Sequence, residues 1–378
     1  MRPLLPYGRH SINEDDIKAV ISVLEGGWLT TGPAVDAFES ALATQAEVAS
    51  CISVSSGTAA LHTAYAAMRL GSGDEVVTTP MTFVATASTA VALGARVVFA
   101  DVEEDTANLD PRAAEAAMTS STRAVAAVDY AGHPAELDAL REVAHAGGAL
   151  LLEDAAHSVG STYRGRPVGG LADLTTFSFF PTKNLTSAEG GAVLTNHPDL
   201  ARQARQFRTV GLVRDPALQR HPELGPWHQE VHELGLNYRL ADVLCALGNS
   251  QLSRLATFRS RRAELVARYQ QLLGEVPGLR LPVARPHVDP TWHLYAVRVL
   301  EGRRREVYDG LRSAGIGVQV NYLPVYWHPL FEDLGYRRGQ CPVAEAFYAE
   351  QLSLPLYPDL TNSEQDRVVE ELRRVLEG

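Results

Sequence analysis

Apolar residues in the first two thirds of the chain follow two spacings, one typical of strands and one typical of helices. Strand-like runs occur at Cys51–Ser55, Glu75–Thr79, Arg96–Asp101, Ala124–Tyr130, Ala149–Asp154, Leu174–Phe180 and Ala192–Thr195. Helix-like segments lie between several of them, at Thr58–Leu70, Val84–Leu93, Pro111–Met118 and Pro134–Ala146. This alternation predicts βαβ units, and therefore an α/β fold with a mostly parallel seven-stranded sheet flanked by helices. The last two strands are too close in sequence for a helical crossover, which predicts one antiparallel strand.

Two helices are predicted ahead of the first strand. Ser11, followed by Glu14, resembles a capping box that opens a helix over Asp16–Leu24. A second helix is predicted over Pro33–Gln45, with proline at its first position. Both precede the sheet and are assigned to the same large domain.

The last third of the chain predicts a smaller α+β unit. A long helical pattern runs from Leu240 toward Glu275, and the charge run Arg259–Arg262 within it predicts an exposed face or a hinge. Further elements are predicted at His293–Leu300, Arg304–Ala314, Val318–Tyr322 and Ser363–Leu376. We therefore expect a large domain over residues 1–255 and a small C-terminal domain over residues 256–378.

Composition narrows the class of protein. The chain has 378 residues, of which 46% are hydrophobic and 21% charged, as in ordinary globular enzymes. A net charge of −11 disfavours nucleic acid and anionic membranes as partners. Cys51, Cys245 and Cys341 show no metal-binding spacing, so reduced buried thiols are expected. The N-terminal residues have no apolar signal region, and the predicted location is the cytoplasm.

Polar and small residues follow four of the predicted strands. Ligands bind beyond the carboxyl ends of the strands in an open parallel sheet, so these residues should meet there. Each has an ordinary structural alternative, as a helix cap, a core aromatic or a core histidine. The residues are Ser55-Ser56-Gly57-Thr58, Phe83, Asp154 with His157, and Ser178 with Lys183.

Together these groups supply the parts that pyridoxal phosphate (PLP) requires. Small residues opening a helix can hold the phosphate, and an aromatic ring can stack on the cofactor. A carboxylate at the end of a buried strand can keep the pyridine nitrogen protonated, and Asp154 lies at such a position. A lysine at a strand end can lose its proton and act as a nucleophile, as predicted for Lys183.

The sequence resembles the DegT/DnrJ/EryC1/StrS family of PLP-dependent nucleotide-sugar aminotransferases, which have the aspartate-aminotransferase-like fold (fold type I). The resemblance covers nearly the whole chain. It rests on Gly32-Pro33, Ser56–Leu61, Asp74–Val76, Pro80–Thr86, Asp101-Val102, Glu153–His157, Phe177–Gly191, Gly235–Arg239 and Ser353–Pro358.

Residue roles follow from this resemblance alone. It implies that Lys183 bonds the cofactor and carries the proton, that Asp154 pairs with the pyridine nitrogen, and that His157 lies near the ring hydroxyl. It implies cofactor contacts for Phe83 on the ring face, and for Gly57, Thr58 and Ser178 on the phosphate. Asn237 would reach the phosphate of the neighbouring subunit, so the resemblance also implies a homodimer with shared active sites.

The resemblance specifies the substrate less closely than the cofactor, because its motifs report the cofactor better than the sugar. The segment Lys183–Gly191 favours amination at C4 of a nucleotide-linked (TDP or UDP) 4-keto-6-deoxyhexose or 4-ketopentose, with glutamate or glutamine as donor. Arg239 is a candidate carboxylate or diphosphate partner, with a structural ion pair as the alternative. Tyr322, Tyr326 and His328 are candidates for the sugar pocket, whereas Asn321 replaces a histidine common in the family.

Other functions stay open at this point. Amination of a 3-keto sugar or a keto-cyclitol would use the same cofactor site. A dehydrogenase would share the α/β pattern, but no G-x-G-x-x-G follows the first strand. A catalytically silent PLP-binding sensor or scaffold would share the fold without needing Lys183. The abundance of alanine and arginine suggests antibiotic or other secondary-metabolite amino-sugar biosynthesis as the context.

Overall fold

The elements below come from a computed structural model that describes residues 4–377. The strands are β1 (Ser50–Val54), β2 (Glu75–Thr78), β3 (Arg96–Phe99), β4 (Thr122–Val128), β5 (Leu150–Asp154), β6 (Thr162–Tyr163), β7 (Arg166–Pro167), β8 (Leu174–Ser178), β9 (Gly191–Thr195), β10 (Leu212–Val213), β11 (Glu230–Val231), β12 (Leu279–Arg280), β13 (Val288–Asp289), β14 (Tyr295–Val299) and β15 (Gln351–Leu354). The helices are α1 (Glu14–Glu25), α2 (Pro33–Gln45), α3 (Gly57–Ala67), α4 (Ala85–Ala92), α5 (Pro111–Ala117), α6 (Leu137–Ala146), α7 (Pro198–Arg208), α8 (Asp242–Ser253), α9 (Leu255–Leu273), α10 (Arg304–Ser313), α11 (Pro329–Asp333), α12 (Pro342–Glu350) and α13 (Asn362–Glu377).

Seven strands form the central sheet in the order β1-β9-β8-β5-β4-β2-β3. All neighbours are parallel except β9, which runs antiparallel to both β1 and β8. The predicted α/β class with a mostly parallel sheet is therefore confirmed, including its one reversed strand. Gly191 pairs with Val54 on one side and with Ser178 on the other, so the reversed strand begins beside the ends of both neighbours.

Both faces of this sheet are covered, which explains why its strands are apolar throughout rather than alternating. Along β2, Val76 belongs to the hydrophobic cluster on one face and Val77 to the cluster on the other. Along β5, Leu152 and Leu151 divide in the same way. Side chains of small residues fill much of the space between the helices and the sheet, and the strand ends are held at fixed positions.

A third hydrophobic cluster lies in the C-terminal part. It joins α9, α10 and α13 to the three-stranded sheet β12-β14-β15, with Tyr269 stacked on Tyr295 at 4.7 Å between ring centroids. Leu5 belongs to the same cluster and pairs with Ile316. The domain boundary between residues 255 and 256 stays a prediction, and it falls at the start of α9.

Several local expectations were wrong. The capping residue of α1 is Asn13, which accepts from the Asp16 backbone, whereas Ser11 donates to Asp359. The long helix is broken at Arg254, whose side chain is paired with the buried Asp16. Arg262 is not on an exposed face, because its side chain is among the largest that are fully buried. The sequence patterns also missed α7, α11, α12 and β15.

The three cysteines are free and buried, as expected for reduced thiols. Between residues 4 and 377, no helix combines the length and the apolar character that crossing a membrane would require.

Candidate active site

A cavity of about 390 Å³ lies beyond the carboxyl ends of β1, β2, β5 and β8. Its position is the one that an open α/β sheet offers to a ligand. The structure brings together eight of the predicted site residues there: Gly57, Thr58, Phe83, Asp154, His157, Ser178, Lys183 and Tyr322.

The first turn of α3 and the end of β8 form a cradle at one side of this cavity. Ser56 caps the helix by accepting from the Ala59 backbone at 3.0 Å. The amide groups of Gly57 and Thr58 precede the first intrahelical bond, so they are donors at the positive end of the helix dipole. A Cβ on Gly57 would lie 2.7 Å from the Ser178 Cβ, so glycine is required for this close approach. The cradle suits a phosphate group.

Asp154 ends β5 at the cavity and is buried. One of its oxygens accepts from the Thr86 hydroxyl at 2.6 Å, and the other accepts from the Ala156 backbone at 3.2 Å. Burial raises the pKa of the carboxyl, while the Thr86 and Ala156 hydrogen bonds and the Lys183 charge oppose that shift. A carboxylate held this way has a strong electrostatic demand for a positive partner.

Lys183 lies in the turn after β8 and lines the same cavity. Its backbone donates to the Phe180 carbonyl at 2.9 Å, which fixes the start of the side chain. Burial lowers the pKa of the amine to about 8, and the negative charge of Asp154 partly opposes this change. A sizeable fraction of neutral amine, and hence of nucleophile, is therefore present near neutral pH.

His157 follows Asp154 in the turn after β5. Its Nε2 is 3.1 Å from the Tyr322 hydroxyl, and its buried Nδ1 has no hydrogen-bond partner. Burial, and then the charge of Lys183, lower the pKa of His157 well below its ordinary value, so the imidazole is neutral. The Asn184 amide donates to the His157 carbonyl at 2.8 Å and holds the turn in place.

Phe83 lies after β2, with more than half of its ring exposed at the cavity. Its ring meets Tyr322 edge-on, with 6.1 Å between centroids. An aromatic face left open in this way is available for a flat ligand.

Four predicted site residues lie outside this cavity. Tyr326 is in the core, where its hydroxyl donates to Glu345 at 2.6 Å, so its assignment to the sugar pocket is not supported. His328 precedes α11 and does not line the cavity. Asn237 is exposed and Arg239 is half-buried, on a segment whose backbone pairs with Thr209 and Val54 respectively.

The cavity also contains residues that the sequence patterns did not single out. Tyr7 comes from the N-terminal segment, and its carbonyl accepts from Leu356 at 3.0 Å. His293 comes from the segment before β14, and Gln319 from the loop after α10. Thr86 belongs to the Pro80–Thr86 motif on which the resemblance rests, and that motif is the signal that could have identified it.

These residues fit pyridoxal phosphate. The cradle at Gly57 matches its phosphate, Asp154 matches a protonated ring nitrogen, and Lys183 is an amine of lowered pKa. The orphaned Nδ1 of His157 is a buried polar atom that still needs a partner, which a ring oxygen would supply.

Comparison with known proteins gives the same result. The DegT/DnrJ/EryC1/StrS aminotransferase family model matches residues 10–373. The spore coat polysaccharide biosynthesis protein SpsC of Bacillus subtilis is 39% identical over 380 residues, covering 99% of this chain and 97% of SpsC.

Two solved structures are close in fold. Spr1654 of Streptococcus pneumoniae, in its PMP form, superposes with a TM-score of 0.93 at 29% identity, covering 99% of each chain. The same protein has also been solved in a PLP form. PseC of Helicobacter pylori, an aminotransferase involved in the biosynthesis of pseudoaminic acid, gives 0.93 at 30% identity, also with 99% coverage of each chain. The chain therefore belongs to the DegT/DnrJ/EryC1/StrS aminotransferase family and is a PLP-dependent sugar aminotransferase.

Proposed function

We propose that the enzyme moves an amino group from glutamate to the C4 keto group of a nucleotide-linked sugar, a 4-keto-6-deoxyhexose or a 4-ketopentose. Glutamine is the alternative donor. The observation that carries the C4 assignment is Glu189, which lines the cavity in the segment whose residues resemble those of C4 enzymes. The same resemblance associates aspartate in the corresponding place with amination at C3.

Local hydrogen bonds hold Glu189 at the cavity. The Thr186 hydroxyl donates to the Phe179 carbonyl at 3.0 Å and accepts from the Ala188 backbone at 3.0 Å. The Ser187 hydroxyl donates to the Glu189 carbonyl at 2.8 Å. A segment whose backbone is fixed in this way is a suitable place for substrate selection, because the chain does not need to be ordered there when the sugar binds.

The proposed chemistry assigns one task to each cavity residue. When bound, PLP supplies a carbonyl carbon that accepts the amino group and a ring that withdraws electrons. With PLP bound, Lys183 would hold a transferable proton at Nζ inside the cavity and act as general acid and base. Asp154 would keep a proton on the ring nitrogen, and Gly57, Thr58 and Ser178 would hold the phosphate. The buried Nδ1 of His157 would be available to the ring oxygen.

We propose a homodimer in which Asn237 completes the site of the other subunit. Asn237 is exposed and lies outside the cavity of its own chain, so a second chain is the simplest recipient of its amide. Large apolar side chains are exposed on the same stretch, including Leu234 and Trp227, of which 92% and 78% are accessible. Exposed apolar groups of this size favour an interface. Arg239, two residues on, stays a candidate partner for a carboxylate or diphosphate.

Two observations bear on the pathway in which the amino sugar is used. Composition favours antibiotic amino-sugar biosynthesis. SpsC, at 39% identity, is named for spore coat polysaccharide biosynthesis, which favours a surface polysaccharide as the destination of the amino sugar. For either pathway we propose the cytoplasm as location, because the three free, buried cysteines suit a reducing compartment.

A half-reaction tests the keto position. The PLP form would be mixed separately with a nucleotide-linked 4-amino sugar and a 3-amino sugar, and conversion to the PMP form followed by absorbance. Conversion by the 4-amino sugar alone supports the proposal. Conversion by the 3-amino sugar alone would contradict the C4 assignment and favour the 3-keto alternative. Silence with both would favour a keto-cyclitol.

A further inference from the structure

A second histidine lies against His157 inside the cavity. The rings of His157 and His293 are 4.3 Å apart between centroids, with an angle of 39° between their planes. Both residues line the cavity and both are more than nine-tenths buried. They are far apart in sequence, because one follows β5 and the other precedes β14.

The fold holds His293 at this position from two sides. Its backbone amide donates to the Ala131 carbonyl at 2.8 Å. Gly132 has φ +95°, and a Cβ there would lie 2.9 Å from both the His157 carbonyl and the His293 nitrogen. The turn after β4 therefore needs glycine in order to bring the two histidine segments together.

On the other side, the buried Arg262 grips the segment that carries His293. Its Nη1 donates to the carbonyls of Trp292, His293 and Leu356 at 3.2, 3.4 and 3.1 Å. Burying a guanidinium is unfavourable unless several acceptors compensate for the lost water. The three carbonyl acceptors fix the Arg262 guanidinium against the segment that carries His293, and this contact holds His293 in place.

Within residues 4–377, the same ring nitrogen, the buried Nδ1, has no hydrogen-bond partner in both His157 and His293. Burial, and then the Lys183 charge, lower the pKa of His157 well below the ordinary value. Burial does the same for His293, followed by the proximity of His157, Lys183 and Arg262, so both imidazoles are neutral. Two neutral rings can pack closely without charge repulsion.

We infer that His293 is a positioning residue for His157. Its ring, tilted by 39° and in contact with His157, holds the His157 imidazole in the plane where Nε2 meets the Tyr322 hydroxyl and Nδ1 faces a ligand in the cavity. The inference rests on the proposed contact between His157 and the cofactor, and it adds a residue that acts through ring packing.

The experiment compares two variants, His293→Ala and His293→Phe. The phenylalanine variant removes the ring nitrogens but keeps an aromatic ring against His157. PLP affinity would be measured by equilibrium dialysis against the apoprotein, and the ¹⁵N shifts of His157 would be recorded in the apoprotein with labelled histidine. We expect His293→Ala to weaken PLP binding about tenfold and to shift the His157 nitrogens. The phenylalanine variant should bind PLP within about twofold of the unaltered protein.

Two further variants separate the possible failures. His287→Ala removes another histidine, outside the cavity, whose Nε2 lies 2.9 Å from Glu136, and should lower the melting temperature without changing PLP affinity. His157→Ala should weaken PLP binding; unchanged affinity there would overturn both the proposed His157 contact and this inference. Weak binding by His157→Ala with normal binding and unshifted His157 signals in His293→Ala would overturn the inference alone. A folded His293→Phe that binds as poorly as His293→Ala would also overturn it.

Discussion

Only two lysines occur in the sequence, Lys18 and Lys183, and their surroundings differ in every respect that sets the reactivity of an amine. Lys18 is exposed on α1, 3.7 Å from Glu14. Lys183 lies in a cavity where the charge of Asp154 favours its ammonium form. At the scale of single residues, burial explains most of the chemistry, because it disfavours the charged form of every group in the cavity.

The first prediction concerns the Lys183 amine. Labelling of the apoprotein with trace acetic anhydride over a range of pH should modify Lys183 with an inflection near pH 8, since burial lowers its pKa to about 8. Mass spectrometry of the two lysine peptides measures this, with Lys18 as the internal solvated reference. Asp154→Asn should move the inflection to lower pH, because the carboxylate favours the ammonium form. An inflection near the ordinary lysine value of about 10.4 would contradict the prediction.

The second prediction concerns the same two residues in the loaded enzyme. Lys183→Ala should lower turnover at least about 10³-fold, since both the covalent anchor and the proton carrier are lost. Asp154→Asn should lower turnover about 10²-fold while retaining some cofactor. Stopped-flow absorbance of each half-reaction would measure both effects. Turnover of Lys183→Ala within tenfold of the unaltered enzyme would exclude the assigned role.

The third prediction concerns a buried pair of acids, Asp129 and Glu153, on the face of the sheet opposite Asp154. Burial raises the pKa of Asp129 to about 7 and that of Glu153 well above its usual range, and the neighbouring Asp129 raises the pKa of Glu153 further. The folded protein therefore binds more protons than the unfolded chain above about pH 4, so stability should fall as pH rises through about 7. Glu153→Gln should flatten this dependence.

Thermal unfolding at two pH values tests the acid pair. At pH 7.5 Glu153→Gln should melt at the same temperature as the unaltered protein or about 1–3 °C higher, and the gain should vanish at pH 5. The amide can still accept from the Thr175 hydroxyl, which now donates to Glu153 at 2.8 Å. A lower melting temperature for Glu153→Gln at pH 7.5, with an unchanged dependence of melting temperature on pH, would contradict the prediction that burying these acids lowers stability as pH rises.

At the scale of elements, α3 and β8 meet so closely at the cradle that a methyl group added at Gly57 would collide with Ser178. Gly57→Ala should weaken PLP binding at least about tenfold, because its Cβ would lie 2.7 Å from the Ser178 Cβ. Gly71→Ala is the matched control, since a Cβ there meets nothing within 4 Å. Fluorescence titration of the apoproteins measures both. Equal PLP affinity in the two variants would show that the cradle accommodates the added Cβ of Gly57→Ala.

Sequence patterns located this part of the molecule because the cradle, Asp154 and Lys183 all follow strands whose apolar runs are readable locally. They did not find Tyr7 or His293, which reach the cavity only through long-range packing of the N-terminal segment and of the segment before β14. The same reason explains Arg262: a charge run is usually solvated, and only tertiary contacts with three carbonyls reverse that. The break at Arg254 likewise depends on Asp16, far away in the chain.

At the scale of the whole molecule, the proposed sharing of sites between two subunits can be tested by mixing two variants. Lys183→Ala and Asn237→Ala should each be impaired alone. When the two are unfolded together and refolded as a mixture, each mixed dimer has one doubly altered site and one intact site. Activity should recover to about a quarter of normal, since random association makes half of the dimers mixed. No recovery, with mixed dimers demonstrated by mass spectrometry, would contradict the sharing of sites.

The reversed strand β9 also governs the order in which the protein can be assembled. β1 is the first sheet strand to be synthesised, yet its only partner in the sheet is β9, which begins at Gly191. Ser178, which lies against the opening of α3, comes 121 residues after Gly57 in the chain. A nascent chain that ends before residue 195 therefore exposes a hydrophobic edge and has an incomplete cofactor site. Ribosome-stalled chains of increasing length should therefore bind PLP only when they extend beyond residue 195.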